Sequence, residues 1–318
     1  MLTYTELSKD IFMVRESSTR PNRLNSLLIE DNTDSDSILI DANYPFQNID
    51  ELYTRVKAPV KGLYFSHCHL DHTAHAFYQQ QNYNAPVYVP IQEKNYITSI
   101  ESMMEAVGFK KLGLTNSYMI MAKRYMKFEE CQEVLTFTPG KDAIEYSGGK
   151  IETIHIPGHS PGQTAFVLKP NAGKNVLFVS DLGSHPYYGD LNSDLNQYYE
   201  SIDKMEQLYL SDDFVLVPAH GTIYPEREKG FFDRIRTKIK NYETRIFNAL
   251  STTEPKSIKE LVYEGVITPK RRMVEFIKDL YLLWDGGRIY HHLNDFMERG
   301  LVEKVEEIDL VNDKYILV

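Results

Sequence analysis

Three histidines and one aspartate stand within six residues of one another, in the segment His67-Cys-His-Leu-Asp-His72. Imidazole nitrogens and carboxylate oxygens are ligands for zinc and similar divalent cations. Side chains two positions apart in an extended stretch point the same way, so His67 and His69 can bind one ion. Asp71 and His72, at the start of a predicted helix, can then face a second ion. The segment therefore predicts a divalent-metal site on a strand-to-helix connection, where functional residues of α/β folds gather.

Three later segments each carry a histidine or an aspartate directly after a predicted strand. They are Ile156-Pro-Gly-His-Ser-Pro-Gly162 with His159, Phe178-Val-Ser-Asp-Leu-Gly183 with Asp181, and Val217-Pro-Ala-His-Gly-Thr222 with His220. In residue type and order, these segments and the first motif resemble the metallo-β-lactamase superfamily over about residues 10–225. Upstream, Leu39-Ile-Asp41 matches a strand of that family whose aspartate supports the metal site.

The resemblance implies two metal ions held by seven side chains. The first ion would take His67, His69 and His159, the second would take Asp71, His72 and His220, and Asp181 would bridge the two. A shared water would complete two five-coordinate sites, with the ions roughly 3.5–4 Å apart as in other two-metal enzymes. Zinc is the expected ion, and iron and manganese are alternatives because histidine and aspartate ligands suit all three.

The implied chemistry is hydrolysis. Two dications lower the pKa of a shared water, so a bridging hydroxide would be available at neutral pH to attack a carbonyl carbon or a phosphorus. Asp71 is predicted to be catalytic as well as a ligand, because it could orient that hydroxide or protonate the leaving group. His185 and Tyr187, in the loop after Asp181, are further catalytic candidates. His185 could contact the substrate, and either Tyr187 or Tyr188 could donate to a developing oxyanion.

The same pattern separates branches of the family. Position 69 is histidine, whereas the redox flavodi-iron branch has glutamate there. Position 181 is aspartate, whereas the true β-lactamases of the family lack this bridging carboxylate. The site therefore resembles the hydrolase branches, namely glyoxalase-II-like thioesterases, lactonases and RNase-Z-like phosphodiesterases. A dedicated role in antibiotic resistance is not expected.

Short strands and helices must position these residues. Apolar runs bounded by Asn, Asp, Ser and Pro predict strands near 11–14, 26–30, 37–41, 60–66, 86–90, 150–156, 164–168, 175–180 and 214–217. A helix is predicted from Asp71 toward Gln81. This alternation indicates an α/β fold, and the resemblance implies an αββα metallo-β-lactamase sandwich over residues 1–230. Methionine-rich residues at about 92–133 predict a helical insertion.

Residues 231–318 are predicted to form a C-terminal helical, winged-helix-like domain. The prediction rests on a helix at 231–249, an N-cap at Ser257, a helix at 288–299 and a hairpin from 301–306 and 314–318. The layout resembles the lactamase-β-like protein 2 branch of the family. We expect this tail to form one wall of the active-site cleft.

The charge and composition narrow the class of protein. The 318 residues include 45 Asp and Glu but 35 Lys and Arg, and the net charge of −10 argues against a generic polyanion binder. No apolar run approaches the ~18 residues that span a bilayer, and no signal peptide is readable. Two cysteines allow no disulfide framework, which predicts a cytoplasmic location.

The predicted function is hydrolysis of an ester, thioester or lactone bond in a small-molecule substrate. One alternative is a phosphodiesterase or endoribonuclease on single-stranded RNA, which would use basic residues at 234–245 and 270–272. Another, from a different class, is a metal-dependent DNA-binding regulator, although acidic residues in the predicted wing argue against it. No membrane partner is expected, and the oligomeric state stays open, with a homodimer as one option.

Overall fold

The computed structural model describes residues 1–17, 23–30, 36–44 and 48–318. Two β-sheets lie at its centre, each with its strands side by side in chain order. The first contains β1 (Leu2–Ser8), β2 (Ile11–Glu16), β3 (Ser26–Glu30), β4 (Ser37–Ile40), β5 (Val60–Tyr64), β6 (Val87–Pro90) and β7 (Leu135–Phe137). The second contains β8 (Ala143–Tyr146), β9 (Gly149–His155), β10 (Thr164–Pro170), β11 (Asn175–Phe178) and β12 (Phe214–Val217).

The strand directions bring several strand ends to one edge. In the first sheet, β1 to β4 are antiparallel, and β5, β6 and β7 continue parallel to β4. In the second sheet, β8 to β11 are antiparallel and β12 is parallel to β11. The ends of β9, β11 and β12 therefore lie at the same edge of the second sheet.

The two sheets pack face to face through alternating residues. Leu27 and Ile29 of β3 belong to a buried cluster that includes Phe166 and Phe178 of the second sheet. Leu28, between them, belongs to the cluster on the outer face, as the period-two geometry of a strand requires. Because both faces are covered, every residue of β3 is buried.

Helices cover the outer faces of the two sheets. They are α1 (Asp50–Arg55), α2 (Leu70–Thr73), α3 (Ala76–Tyr83), α4 (Lys94–Thr98), α5 (Ile100–Val107), α6 (Thr115–Ile120) and α7 (Leu195–Ser211). The expected αββα sandwich is confirmed. The stretch predicted as a helical insertion carries α4 to α6, and Met103 and Met104 of α5 are buried in the core.

Two local features differ from the sequence prediction. The helix expected from Asp71 toward Gln81 is divided into α2 and α3, because the backbone N–H of His75 donates to the Asn43 side chain at 3.1 Å rather than continuing the helix. Helix α7 was not predicted. It begins after Asp194, whose carboxylate accepts from Gln197 N at 2.9 Å as an N-cap.

The C-terminal part contains helices and a small sheet. Its elements are α8 (Phe231–Ala249), β13 (Lys256–Ser257), α9 (Ile258–Glu264), α10 (Leu280–Glu298), β14 (Val302–Glu306) and β15 (Lys314–Leu317), with strand order β13-β15-β14. Ser257 caps α9 in a capping box with Glu260, as expected. Helix α10 begins at Leu280, well before the predicted residue 288. A winged-helix domain and a boundary at residue 230 stay predictions. None of the helices in the described ranges is both long and apolar enough to cross a membrane.

Helix α10 packs closely against the loop that follows Asp181. A Cβ added to Gly287 would overlap the carbonyl oxygen of Gly189. Farther along this helix, His291 Nε2 donates to the carbonyl oxygen of Asp190 at 2.7 Å, and Nε2 of His292 lies 2.9 Å from the Tyr188 hydroxyl. The glycine thus lets the C-terminal part touch the loop beside the candidate site.

This contact predicts that Gly287→Ala destabilises the protein by about 1–3 kcal/mol through overpacking. Gly286→Ala is the matched control, because its added Cβ would meet Ile258 Cγ2 at 3.3 Å and no backbone atom as closely. Both changes gain the same helix propensity, so the difference between them isolates the contact. Urea unfolding of both variants measures it. Equal stability of the two would show that the contact is not needed.

Candidate metal centre

Seven candidate ligands lie on four connections at one edge of the two sheets. His67, His69, Asp71 and His72 follow β5, His159 follows β9, Asp181 follows β11 and His220 follows β12. Backbone hydrogen bonds join the sheets at this edge, because Thr164 N donates to Ser66 O at 2.9 Å and Asn25 N to Ala219 O at 2.7 Å. The strands thereby bring together residues that are 153 positions apart at the extremes (67 and 220).

His67, His69 and His159 form the first group. The Nε2 atoms of His67 and His159 are 3.1 Å apart, and both lie close to Nδ1 of His69, at 3.1 and 3.0 Å respectively. Three ring nitrogens therefore face one common point. Histidine nitrogens in such a triangle are a usual ligand set for a divalent ion.

The second group joins two carboxylates and two histidines. Asp71, His72, Asp181 and His220 each offer one ligand atom, and these atoms lie within 4.8 Å of one another. His220 Nε2 lies 3.3 Å from Asp71 Oδ2 and 3.6 Å from Asp181 Oδ1. His72 Nε2 lies 3.1 Å from Asp181 Oδ1. The mixture of nitrogen and oxygen donors suits zinc, iron or manganese.

Asp181 connects the two groups. Its Oδ1 faces His72 and His220, while its Oδ2 lies 3.6 Å from Nε2 of His159 in the first group. His72 Nε2 and Asp181 Oδ1 are buried and form no hydrogen bond with the described residues, although they face each other. Buried polar atoms without a partner cost free energy, and a cation bound between them would remove that cost. The residues present thus fit a divalent metal.

The amino-acid sequence matches the family described as "Metallo-beta-lactamase superfamily" over residues 19–220, more than half of the chain. The chain belongs to the metallo-beta-lactamase superfamily. All seven candidate ligands lie inside the matched residues, and the family assignment made from the motifs is confirmed. Membership identifies the protein as a metal-dependent hydrolase of this superfamily.

Three similar proteins give the extent of the likeness. A hydroxyacylglutathione hydrolase, GloC, of Haemophilus influenzae is 24% identical over 178 residues, which cover 55% of this chain and 74% of that protein. A beta-lactamase domain protein of Burkholderia ambifaria superposes with a TM-score of 0.72 at 17% identity, over 99% of this chain and 93% of the other. A metallo-beta-lactamase family protein of Thermus thermophilus reaches 0.74 at 17% identity, over 98% and 99% of the two chains. The two structures share the fold.

Asp41 supports the candidate ligand His72 of this metallo-beta-lactamase fold from behind, as the resemblance implied. Its Oδ2 accepts from His72 Nδ1 at 2.9 Å and from Ser66 Oγ at 2.6 Å, and its Oδ1 accepts from Ser66 N at 2.7 Å. Asp41 and Ser180 both have a φ of 51°, uncommon for residues with a Cβ. Strained backbone of this kind gathers at functional sites.

Asp190 supports the first group, and the sequence did not point to it. Its Oδ2 accepts from His69 Nε2 at 2.7 Å, and its Oδ1 accepts from the Tyr187 hydroxyl at 2.7 Å. The bond leaves Nδ1 of His69 to face the metal position. Metal-binding histidines commonly donate their second N–H to a carboxylate. In the sequence, the available signal for such a partner was an acidic residue shortly after Asp181.

Glu93 is a second residue that the sequence did not reveal. Its buried carboxylate accepts from the backbone N–H of Cys68 at 2.5 Å and of Gly162 at 2.6 Å. These two N–H groups belong to the loops that carry the first group of histidines. Glu93 therefore fixes one loop against the other. Its partners lie 25 and 69 residues away, and no local motif marks them.

Burial and neighbouring charges set the protonation of the histidines. Burial lowers the pKa of His67 well below its usual range, and burial lowers the pKa of His159 to about 4. Both rings are therefore neutral at pH 7, with a lone pair free for a cation. Burial also disfavours the charged form of His69, but the Asp190 carboxylate outweighs it and raises the pKa of His69 to about 9. A metal ion at Nδ1 must displace a proton there.

The remaining predicted residues lie around the two groups. His185 is exposed, next to Ser184, and belongs to neither group. The Tyr187 ring lies 5.5 Å from the His159 ring, but its hydroxyl already donates to Asp190. Cys68 is buried, and burial raises the pKa of its thiol well above the usual range. The structure thus places Tyr187 beside the first group and His185 farther out.

The position of Asp181 predicts the effect of removing its charge. Asp181→Asn should lower the metal content of the purified protein, because one oxygen faces each ligand group. Elemental analysis by mass spectrometry measures the ions per chain. Asp213→Asn, an exposed aspartate that pairs with Lys174 at 3.2 Å, is the control and should retain the wild-type content. Full metal content in Asp181→Asn would refute a connecting role.

Asp190→Asn should weaken metal binding about 10- to 100-fold, the usual cost of losing a partner behind a ligand histidine. Its neutral amide is a weaker acceptor than the carboxylate and fixes the His69 ring less firmly. Competition with a chromogenic chelator measures the affinity. Asp194→Asn, four residues along the chain, caps α7 instead and is the matched control. Equal affinities in the two variants would show that Asp190 does not support the site.

Proposed function

We propose that the protein is a dinuclear-metal hydrolase of an ester, thioester or lactone bond, with a small acyl thioester as the first candidate substrate. The observation that carries this proposal is the position of Asp181 between the two ligand groups, 3.1 Å from His72 and 3.6 Å from His159. The similarity to GloC supports the thioester, because hydroxyacylglutathione is an acyl thioester. Zinc is the proposed ion.

In this proposal the seven candidate ligands would hold two divalent ions. When bound, the ions polarise a carbonyl oxygen and supply a nucleophile from water at neutral pH. The contribution of the chain is to fix the ligands. His67 and His72 are fully buried, and each has one ring nitrogen near a polar side chain and the other turned toward the metal position.

Asp71 is proposed to hold the proton of the attacking water or of the leaving group. Its side chain is 48% exposed, far more open than the Asp181 side chain at 13%. It therefore lies on the side of the second group where a substrate can approach. Its Oδ2 lies 3.3 Å from His220 Nε2, close enough for both atoms to bind the same metal ion. The other carboxylate oxygen of Asp71 would then be left to hold the proton.

Tyr187 is proposed as a positioning residue rather than as a donor to the oxyanion. Its hydroxyl donates to Asp190, which in turn accepts from His69. Donation to a substrate would require that hydrogen bond to break. The ring of Tyr187 still closes one side of the first group, 5.5 Å from the ring of His159.

The RNA alternative receives little support from the basic helix α8. Three of its five basic residues pair with carboxylates, as Arg234 does with Glu228 at 2.7 Å, Arg236 with Asp203 at 2.6 Å and Lys240 with Glu243 at 2.8 Å. Paired cations release few counterions from a nucleic-acid backbone. A DNA-binding regulator is disfavoured as well, because the β14 strand of the hairpin carries exposed glutamates.

A hydrolysis panel tests the proposal. Protein loaded with zinc, iron or manganese is assayed on a short acyl thioester, an aryl ester, a lactone, a phosphodiester and single-stranded RNA. We expect thioester turnover that depends on the metal, and a fall of about a hundredfold or more in His69→Ala, which removes a first-group ligand. The rate should change little between roughly 50 and 200 mM salt, whereas cleavage through phosphate contacts would fall steeply.

The panel also has outcomes that contradict the proposal. RNA cleavage with a steep salt dependence and no thioester turnover would favour the nuclease. Metal-loaded protein that hydrolyses nothing but binds duplex DNA tightly would favour the regulator. Turnover retained in His69→Ala would separate the activity from the metal centre.

A further inference from the structure

The side-chain amide of Asn43 lies against the short helix that carries Asp71 and His72. Its Nδ2 donates to the carbonyl oxygen of Asp71 at 2.5 Å and to that of Leu70 at 3.3 Å. Its Oδ1 accepts from the backbone N–H of His75 at 3.1 Å. Swapping the oxygen and nitrogen would set the amide oxygen against two carbonyl oxygens, so these partners fix the orientation of the buried amide.

The amide replaces one hydrogen bond of a helix. In a continuous α-helix, the N–H of His75 would donate to the carbonyl oxygen of Asp71, four positions earlier. The preceding bond of this kind, from Ala74 N to Leu70 O, is present at 3.0 Å. At the next position Asn43 lies between the two backbone groups, donating to the carbonyl and accepting from the N–H. Asn43 therefore opens the chain between α2 and α3 and satisfies both polar groups there.

The segment 41–43 thereby holds two consecutive candidate ligands of the second group. Asp41 Oδ2 accepts from His72 Nδ1 at 2.9 Å, and Asn43 binds the backbone of Asp71. The first contact orients a ligand side chain directly. The second acts on the main chain from which the other ligand side chain extends.

The Asp71 carboxylate depends on its backbone more than the His72 ring does. The His72 side chain is fully buried, whereas the Asp71 side chain is half-exposed and is held less by packing. Asp71 Oδ2 lies 3.3 Å from His220 Nε2 and 3.9 Å from His72 Nε2. Both of these neighbours are candidate ligands rather than supports behind the site. The position of the Asp71 backbone, which Asn43 holds, therefore decides where the carboxylate points.

We propose that Asn43 is a positioning residue, which keeps the helix open at Asp71 and so directs the Asp71 carboxylate toward His220. The second metal position that these ligands would form belongs to the proposed function, and the inference rests on it. A carboxamide suits this role, because its NH₂ group and its oxygen can face the carbonyl and the N–H at the same time.

Metal affinity in Asn43→Ala tests this role. Without the amide, the N–H of His75 can donate directly to the carbonyl of Asp71 and continue the helix, which turns the Asp71 carboxylate away from His220. The affinity for one of two zinc ions should fall about 10- to 100-fold, the usual cost of losing a partner behind a ligand. Competition with chromogenic chelators measures both affinities.

Cadmium NMR identifies which of the two positions is changed, because each bound cadmium ion gives its own resonance. In Asn43→Ala, one resonance should shift or disappear. In Asp190→Asn, which loses a support of the first group, the other resonance should change. If the same resonance changed in both variants, Asn43 would not act on the second group and the proposal would be overturned.

Gln79→Ala is the matched control, because Gln79 carries a second buried amide beside the same segment. Its Nε2 donates to the carbonyl oxygen of Ala42 at 2.8 Å, and its Oε1 accepts from the Tyr53 hydroxyl at 3.0 Å. Both substitutions remove a buried amide and should lower the melting temperature, but Gln79→Ala should retain both metal affinities. An equal loss of affinity in the two variants, or no loss in Asn43→Ala, would contradict the positioning role.

Asn43→Ser keeps the test decisive if Asn43→Ala does not fold. A serine hydroxyl can donate to the Asp71 carbonyl or accept from the His75 N–H, but it is too short to join the two groups. The same metal position should therefore be weakened, by a smaller factor. Wild-type affinity at both positions in Asn43→Ser would count against the proposal.

Crystal structures of the metal-free proteins separate this inference from the proposed function. In Asn43→Ala, but not in Gln79→Ala, His75 N should lie within hydrogen-bond distance of Asp71 O, and the Asp71 carboxylate should lie farther from His220. This result supports the positioning role even if the protein binds a single ion or hydrolyses no thioester. An Asp71 carboxylate that keeps its wild-type position in Asn43→Ala overturns the role even if thioesters are hydrolysed.

Discussion

The burial of candidate metal ligands at one sheet edge is the constraint on which the rest of the structure depends. Asp181 and His72 bring unpaired polar atoms into the protein interior, where they are costly unless a cation compensates them. Asp41 is fully buried as well, and its carboxylate is satisfied by Ser66 and His72. The strained backbone at Asp41 and Ser180 therefore orients polar groups toward this edge of the sheets.

Loops from two sheets can form one site only if their relative position is fixed. Buried polar contacts fix the position of the loops, because Glu93 joins the Cys68 loop to the Gly162 loop. Asp190 has a similar role from another direction, because its side chain binds His69 and its carbonyl oxygen binds His291. Through His291 the C-terminal part becomes a support of the first ligand group. The close backbone approach of Gly287 on α10 to Gly189 lies beside this contact.

The sequence was sufficient for the ligand candidates and most strands, because each ligand motif is local and directly follows an apolar run. It was insufficient for Glu93, whose partners are 25 and 69 residues away, and for Asp190, which lies 121 residues from His69. Helix α7 carried a readable signal, with buried Tyr198, Ile202 and Met205 at helical spacing after the Asp194 cap. The start of α10 was obscured by a glycine pair that indicates a turn by composition but here serves close packing.

The net charge of this protein predicts its ligands less well than the distribution of its ion pairs does. The tail contains equal numbers of acidic and basic residues, 15 of each over 231–318, which alone indicates no preference for anions. Ion pairs consume Arg236 and Lys240 on one face of α8 but leave Lys238 on the other. A chain with net charge −10 can therefore carry unpaired positive charge locally in its C-terminal part. Screening limits the field of such charges to about 8–10 Å at physiological salt, so they do not attract polyanions from a distance.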